Sequence, residues 1–272
     1  MSAELVVVGG GRMGEALVGG LLGAGWDAAS ICVVEKVAAR RQALGERLAP
    51  GLRVMATPPP AEGVVLAVKP ADVVATAQAV TAAGCRRVLS IAAGVPLAAL
   101  EAALDAEAVR LPVVRAMPNT PALVGAGAAA IAAGTWAEEV DMAWAEAILR
   151  AVGTVVRVPE ALLDAVTGLS GSGPAYVFLV AEALVDAGVL VGLPQEVSAG
   201  LAVQTLLGAA RLLSEGEETP TALRHAVTSP GGTTAAGVRA LEAGGVRSAV
   251  LEAVVAATER SRQLGHMAAP PS

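Results

Sequence analysis

Aromatic side chains are nearly missing: the 272 residues include three tryptophans, one tyrosine and one phenylalanine. Apolar residues still make up 54%, so the interior must be built from alanine, valine and leucine in closely packed helices and strands. Cysteine is equally scarce. Cys32 and Cys85 lie far apart, with no histidine or cysteine at metal-ligand spacing, which leaves them as two buried small hydrophobes. A net charge of −6 argues against a nucleic-acid or anionic-membrane surface, so an anionic ligand must be held locally. Long uncharged apolar runs are missing too. The most apolar stretch, VFLVAEALVDAGVLVGL, is interrupted by Glu182 and Asp186, and no membrane span is expected. The start, MSAELVVVGGG, has no basic segment ahead of its apolar run, so the expectation is a cytoplasmic protein without a signal peptide.

What is present alternates. The runs ELVVVG, ICVVE, LRVM, GVVLAV, RRVLSI and RLPVVRAM read as short buried strands, separated by helical segments such as MGEALVGGLLGAG and ADVVATAQAVTAAG. That order implies βαβ units and a parallel sheet covered on both faces. GTWAEEVDMAWAEAILRAVG adds a helix and TVVRVP a last strand; after Pro159 only helical segments follow, broken by GLSGSGP, VGLP, SEGEETP and SPGG. The chain therefore reads as α/β, with a dinucleotide-binding domain over 1–160 and an all-α domain over 161–272, ending in a loose tail, MAAPPS. A helix expected at 174–192 is apolar nearly all round, which calls for cover from a second chain and marks the second domain as a dimerisation domain. Its acids, Glu182 and Asp186, read as a solvated edge.

The dinucleotide assignment rests on LVVVGGGRMGEALVGGLL. Gly9, Gly11 and Gly14 satisfy G-x-G-x-x-G between a strand and a helix, with Arg12 and Met13 inside the motif. The first glycine permits the tight turn, the second lets a pyrophosphate approach, and the third allows helix and strand to pack closely. An acid, Glu35, follows twenty-one residues after Gly14. It would accept from an adenosine ribose and favour NAD, whereas Arg12, Lys36, Arg40 and Arg41 near the same end would favour NADP. Lysine and asparagine are rare enough to be informative. Of two lysines, Lys36 follows the second strand and Lys69 the fourth, in AVKP; the one asparagine, Asn119, follows the sixth in MPNTP. These are strand C-terminal ends, where ligands of open α/β sheets bind.

HAVTSPGGTTAAGVRALEAGG carries a second anion signal. Ser229 reads as an N-cap and Pro230 as the first helical residue, with Gly231 and Gly232 leaving the backbone open to a ligand.

In order and spacing, GGGRMGEALVGGLL, AVKPADV, RAMPNTPALVGAGA, DAVTGLSGSGPAYVFLVAEALVDAGV and AVTSPGGTTAAGVRALEAGGVRSAV resemble the pyrroline-5-carboxylate reductase family over nearly the whole chain. The resemblance implies a Rossmann-like domain, reduction of Δ1-pyrroline-5-carboxylate to L-proline as the last step of proline biosynthesis, and NADPH or NADH as cofactor, with NADPH preferred. It also implies an interwoven homodimer, in many members a pentamer of dimers. By the same analogy Ser229, Gly231, Gly232, Thr233 and Thr234 hold the substrate carboxylate, and the Thr234 hydroxyl faces the ring nitrogen. Gly171, Ser172 and Gly173 complete that pocket, while Ala67, Val68, Lys69, Pro70 and Asn119 run along the cofactor. No metal is implied. His225, more than a helical turn before the glycines, reads as a helix-surface residue.

Two rivals share the two-domain plan. A β-hydroxyacid dehydrogenase needs a lysine after its Gly-x-Gly, where this chain has Val177 and no lysine in the second domain. A non-catalytic nucleotide sensor is opposed by the intact SPGGTT segment.

Overall fold

The structure is a computed structural model that describes residues 3–104 and 110–268. Along the first part run β1 (Ala3–Val8), α1 (Arg12–Gly23), β2 (Ile31–Val34), α2 (Ala38–Arg47), β3 (Arg53–Met55), β4 (Ala61–Leu66), α3 (Val73–Ala82), β5 (Val88–Ser90), α4 (Leu97–Leu104), β6 (Val113–Met117), β7 (Gly127–Ala133), α5 (Glu139–Arg150) and β8 (Gly153–Arg157). The strands form one sheet in the order β3-β2-β1-β4-β5-β6-β7-β8, parallel throughout except where β7 pairs antiparallel with β6. Alternation along β1 explains the layering: Val6 and Val8 join one core with Val73, Val80 and Leu100 of α3 and α4. Leu5 and Val7 face the other way, into a core with Leu17, Leu44 and Ile148 of α1, α2 and α5.

Strand β7 was not expected. Its sequence, GAAAIAA, lacks the β-branched and aromatic residues that mark strands. It forms because β6 and β8 offer ladder partners on both sides and because Ala130, Ile131 and Ala132 are buried there. A Cβ on Gly127 would press on Ala122 and the Val152 carbonyl oxygen, so small residues are what this slot admits.

By compactness the chain forms two units, one reaching Ser172 and including residues from Val255 onward, the other Gly173–Val254. Strands end at Arg157, but the next residues still pack on the sheet. Leu163 of α6 (Leu163–Val166) is buried in the first core, and Glu160 pairs with Arg115 of β6 at 2.7 Å. The second unit holds α7 (Gly173–Leu190), α8 (Gln195–Glu215), α9 (Pro220–Ala226), α10 (Thr233–Ala243) and the start of α11 (Val246–Ala268). α7 and α8 meet where Ser198 Oγ donates to the Val185 carbonyl oxygen at 2.7 Å. No residue of α7 is buried within the chain, and Val177, Phe178, Leu179 and Val180 are exposed. Met267 and Ala268, expected in the tail, continue α11; residues 269–272 of that tail lie outside the described residues.

Candidate active site

A crevice of about 350 Å³ opens at the C-terminal ends of β1, β2 and β4. Its walls contain Gly9, Gly11, Glu35, Lys36, Arg40, Ala67, Val68 and Lys69. The three glycines differ in what they make possible. Gly9 has φ +110, and a Cβ there would collide with the Ala67 carbonyl oxygen. A Cβ on Gly14 would collide with the Gly9 carbonyl oxygen, so α1 sits hard against the end of β1. Gly11 has no atom within 4 Å of such a Cβ. It caps α1 with extended backbone and no side-chain cap, leaving N–H groups of the first turn for a ligand. Arg12 and Met13 begin the helix beside this opening. The cradle fits a dinucleotide pyrophosphate.

At the β2 end, Glu35 Oε1 accepts from the Val37 N–H at 2.9 Å. Arg41 Nη1 donates to the carbonyl oxygens of Glu35 and Lys36, both at 2.8 Å, so this guanidinium shapes the turn. Lys36 and Arg40 are the exposed cations that line the crevice on this side, and Lys69 is exposed on the β4 side. Val8, Val34, Val37 and Asp72 also line it and were not anticipated; Val37 and Asp72 follow strand ends, the one positional signal that would have found them.

A second cavity of about 350 Å³ lies where β4 and β5 end, bounded by Pro70, Ala93, Gly94, Thr167, Ser172 and the α11 residues Arg260 and Ser261. Ser261 Oγ donates to Asp164 Oδ1 at 2.6 Å and pins α11 beside α6. Ala93 and Gly94, in SIAAGV, gave no chemical signal in sequence. Pro70 and Ser172, expected near cofactor and substrate, meet here. Gly171 precedes α7 and ends a single π-helical turn, Thr167–Gly171. A Cβ on it would collide with Met117 Cε.

Asn119 lines neither cavity. It is buried; its Oδ1 accepts from the Ala128 N–H at 2.8 Å and its Nδ2 donates to the Ser170 carbonyl oxygen at 3.0 Å. Both ends of its amide are engaged within the protein.

In the second unit, Gly232 caps α10, which begins at Thr233; Ser229 and Pro230 do not start the helix. Instead the Gly232 N–H donates to the Ser229 carbonyl oxygen at 3.1 Å, closing a turn with Pro230 second and Gly231 third, at φ +68. Pro-Gly in the middle of four residues favours such a turn over a helix start. The first-turn N–H groups of Thr233, Thr234 and Ala235 therefore have no acceptor four residues back. Thr234 is half-buried and Thr233 exposed. His225 is exposed in the last turn of α9.

Fold and crevice define a Rossmann-like dinucleotide-binding protein with a C-terminal helical region. Residues 4–94 match the family described as NADP oxidoreductase, coenzyme F420-dependent, and residues 160–264 match pyrroline-5-carboxylate reductase dimerisation. Pyrroline-5-carboxylate reductase of Synechocystis sp. is 48% identical, over 97% of this chain and 99% of that protein. The Mycobacterium tuberculosis enzyme of that name is 44% identical over 96% and 97%. Among solved structures, the Coxiella burnetii pyrroline-5-carboxylate reductase superposes with a TM-score of 0.89 at 36% identity, covering 96% of this chain and 98% of that one. The Plasmodium falciparum pyrroline carboxylate reductase with NADP bound gives 0.80 at 28%, covering 97% and 98%. The chain belongs to the pyrroline-5-carboxylate reductase family.

The dimerisation match also bears on the apolar helices. Glu160–Leu190 and Gln195–Glu215 are, by length and composition, long and apolar enough to cross a membrane. Both lie within the region that matches the dimerisation family.

Proposed function

We propose that this protein reduces Δ1-pyrroline-5-carboxylate to L-proline with a nicotinamide cofactor, the last step of proline biosynthesis. The observation that carries the reading is the open cradle at Gly11 over the β1, β2 and β4 ends, in a chain of this family. Gly9, Gly11 and Gly14 shape the pyrophosphate site, with Arg12 and Met13 opening α1. Ala67, Val68 and Lys69 wall the path toward Pro70, and the second cavity takes the nicotinamide end with the imine. Lys36 and Arg40 face a 2′-phosphate and favour NADPH, while Glu35 keeps NADH usable.

A nicotinamide held there would supply hydride to the carbon of the protonated imine, whose nitrogen keeps its proton as C=N becomes C–N. The chain's own part is orientation. N–H groups of Thr233 and Thr234 hold the substrate carboxylate, and the Thr234 hydroxyl orients the ring nitrogen. The Gly232 N–H, already used in the turn, acts by shaping Ser229–Gly232. Gly171, Ser172 and Gly173 close the pocket. A protonated imine is electrophilic, so a strong acid is unnecessary.

We assign residues 1–160 to the dinucleotide and 161–272 to dimerisation and substrate, in a cytoplasmic homodimer that associates as a pentamer of dimers. Initial rates of NADPH and NADH oxidation at fixed imine concentration test the reading. Imine-dependent oxidation, faster with NADPH at low cofactor, is expected; none with either cofactor overturns it.

A further inference from the structure

The Ser170 carbonyl cannot complete an α-helical bond. Its partner four residues on would be Pro174, which has no N–H and whose ring crowds that carbonyl. The backbone responds with a π-turn, closed by the Ser172 N–H donating to the Thr167 carbonyl oxygen at 2.8 Å. π-turns of this kind concentrate at functional sites. The missing donor is supplied from outside the helix, by Asn119 Nδ2 at 3.0 Å.

Asn119 is itself fixed. Its Oδ1 takes the Ala128 N–H of β7, so the side chain bridges the end of β6, β7 and the π-turn. Met117, two residues earlier, packs its terminal methyl against Gly171, so a side chain there would displace it. Thr167 and Ser172, the two ends of the turn's closing bond, both line the cavity with Pro70 and Gly94. The position of that wall thus depends on one buried amide.

We propose that Asn119 is a positioning residue for imine reduction: it replaces the N–H that Pro174 lacks and so sets Thr167 and Ser172 against the reacting end of the site. The proposal rests on the imine reductase reading, and wild-type activity tests that reading separately.

Asn119→Asp keeps the acceptor for Ala128 and removes the donor to Ser170. Turnover should fall roughly ten- to hundredfold while NADPH affinity, from fluorescence titration, changes less than about twofold. Pro174→Ala returns an N–H to position 174, so the double variant Asn119→Asp, Pro174→Ala should recover most of the lost turnover. Should the single variant fail to fold, recovery of fold and turnover in the double variant supports the proposal equally. A parallel loss of NADPH affinity would make Asn119 a cofactor ligand and overturn it. So would a lowered melting temperature with unchanged turnover, or no recovery in the double variant.

Discussion

Arg41 reaches back from α2 and donates through one nitrogen, Nη1, to the carbonyl oxygens of both Glu35 and Lys36, at 2.8 Å each. A guanidinium so engaged builds the turn after β2, which leaves Lys36 and Arg40 as the cations on the β2 side of the crevice, with Lys69 on the β4 side. Their roles separate by substitution. Lys36→Ala with Arg40→Ala should raise the NADPH Michaelis constant by about tenfold or more and spare NADH, since charge-assisted bonds to a phosphate are each worth about 1.5–3 kcal/mol. Arg41→Ala should impair both cofactors alike, because the turn presents Glu35 to either. Equal losses in the double variant would remove the 2′-phosphate assignment.

Gly14 and Gly23 sit in one helix and should respond oppositely to alanine. At Gly14 the new methyl would meet a backbone oxygen of Gly9, so α1 must retreat from the cradle. Overpacking of this kind costs about 1–3 kcal/mol, and dinucleotide affinity should fall with it. A Cβ on Gly23 would meet nothing within 4 Å beyond its own turn of helix, and alanine should stabilise by up to about 1 kcal/mol through helix propensity. Thermal melts with and without NADPH check both; a neutral Gly14→Ala would contradict the packing.

The alternating sheet was legible because its strands are valine-rich and their periodicity is local. β7 was not, because GAAAIAA owes its state to flanking strands that sequence order does not reveal. Ser229-Pro230 misled for a related reason. Ser-Pro suits a helix start, but Pro-Gly suits a turn, and the Gly231 backbone at φ +68 settles which applies. Asn119 stood out by rarity, and its position after β6 suggested a ligand; its partners, Ala128 and Ser170, lie nine and fifty-one residues away. The second cavity was hidden because it joins α11 to the end of β5, a pairing carried by no motif.

Burial pushes the Cys85 thiol up to about 11 from its ordinary 9.0. Cys32 moves the same way, again chiefly through burial. A group whose pKa is raised on folding contributes its full share below the unfolded value and loses it as pH climbs to the folded one. Stability should therefore fall between about pH 9 and 11 partly through Cys85. Cys85→Ala should flatten that slope in denaturant melts, and thiol reagents should label neither cysteine of the native protein at pH 8. Rapid native labelling would contradict this.

α7 has no buried residue within its own chain, and Leu179 is 66% exposed. Sedimentation at micromolar concentration should show a dimer or a multiple of it. Leu179→Glu should shift the population toward monomer, since a carboxylate buried between chains lacks a partner. A wild-type monomer would contradict the pairing assigned to this face.

Thr234 is the second residue of α10, half-buried beside a turn whose only glycine with positive φ is Gly231. Its N–H belongs to the open first turn and is expected to hold the substrate carboxylate, and its hydroxyl is expected to face the ring nitrogen. Thr234→Ala removes the second contact alone. A hydrogen bond to a charged or charging group is worth about 1.5–3 kcal/mol, roughly ten- to hundredfold in kcat/KM. If the bond tightens as hydride arrives, the loss falls on kcat more than on KM, because only interactions stronger in the transition state accelerate the step. Thr233→Ala should cost less, since that residue is assigned a main-chain role alone, and NADPH binding should hold in both variants. Wild-type kcat in Thr234→Ala would show that the hydroxyl has no part in the reaction and that the ring nitrogen is oriented by another group.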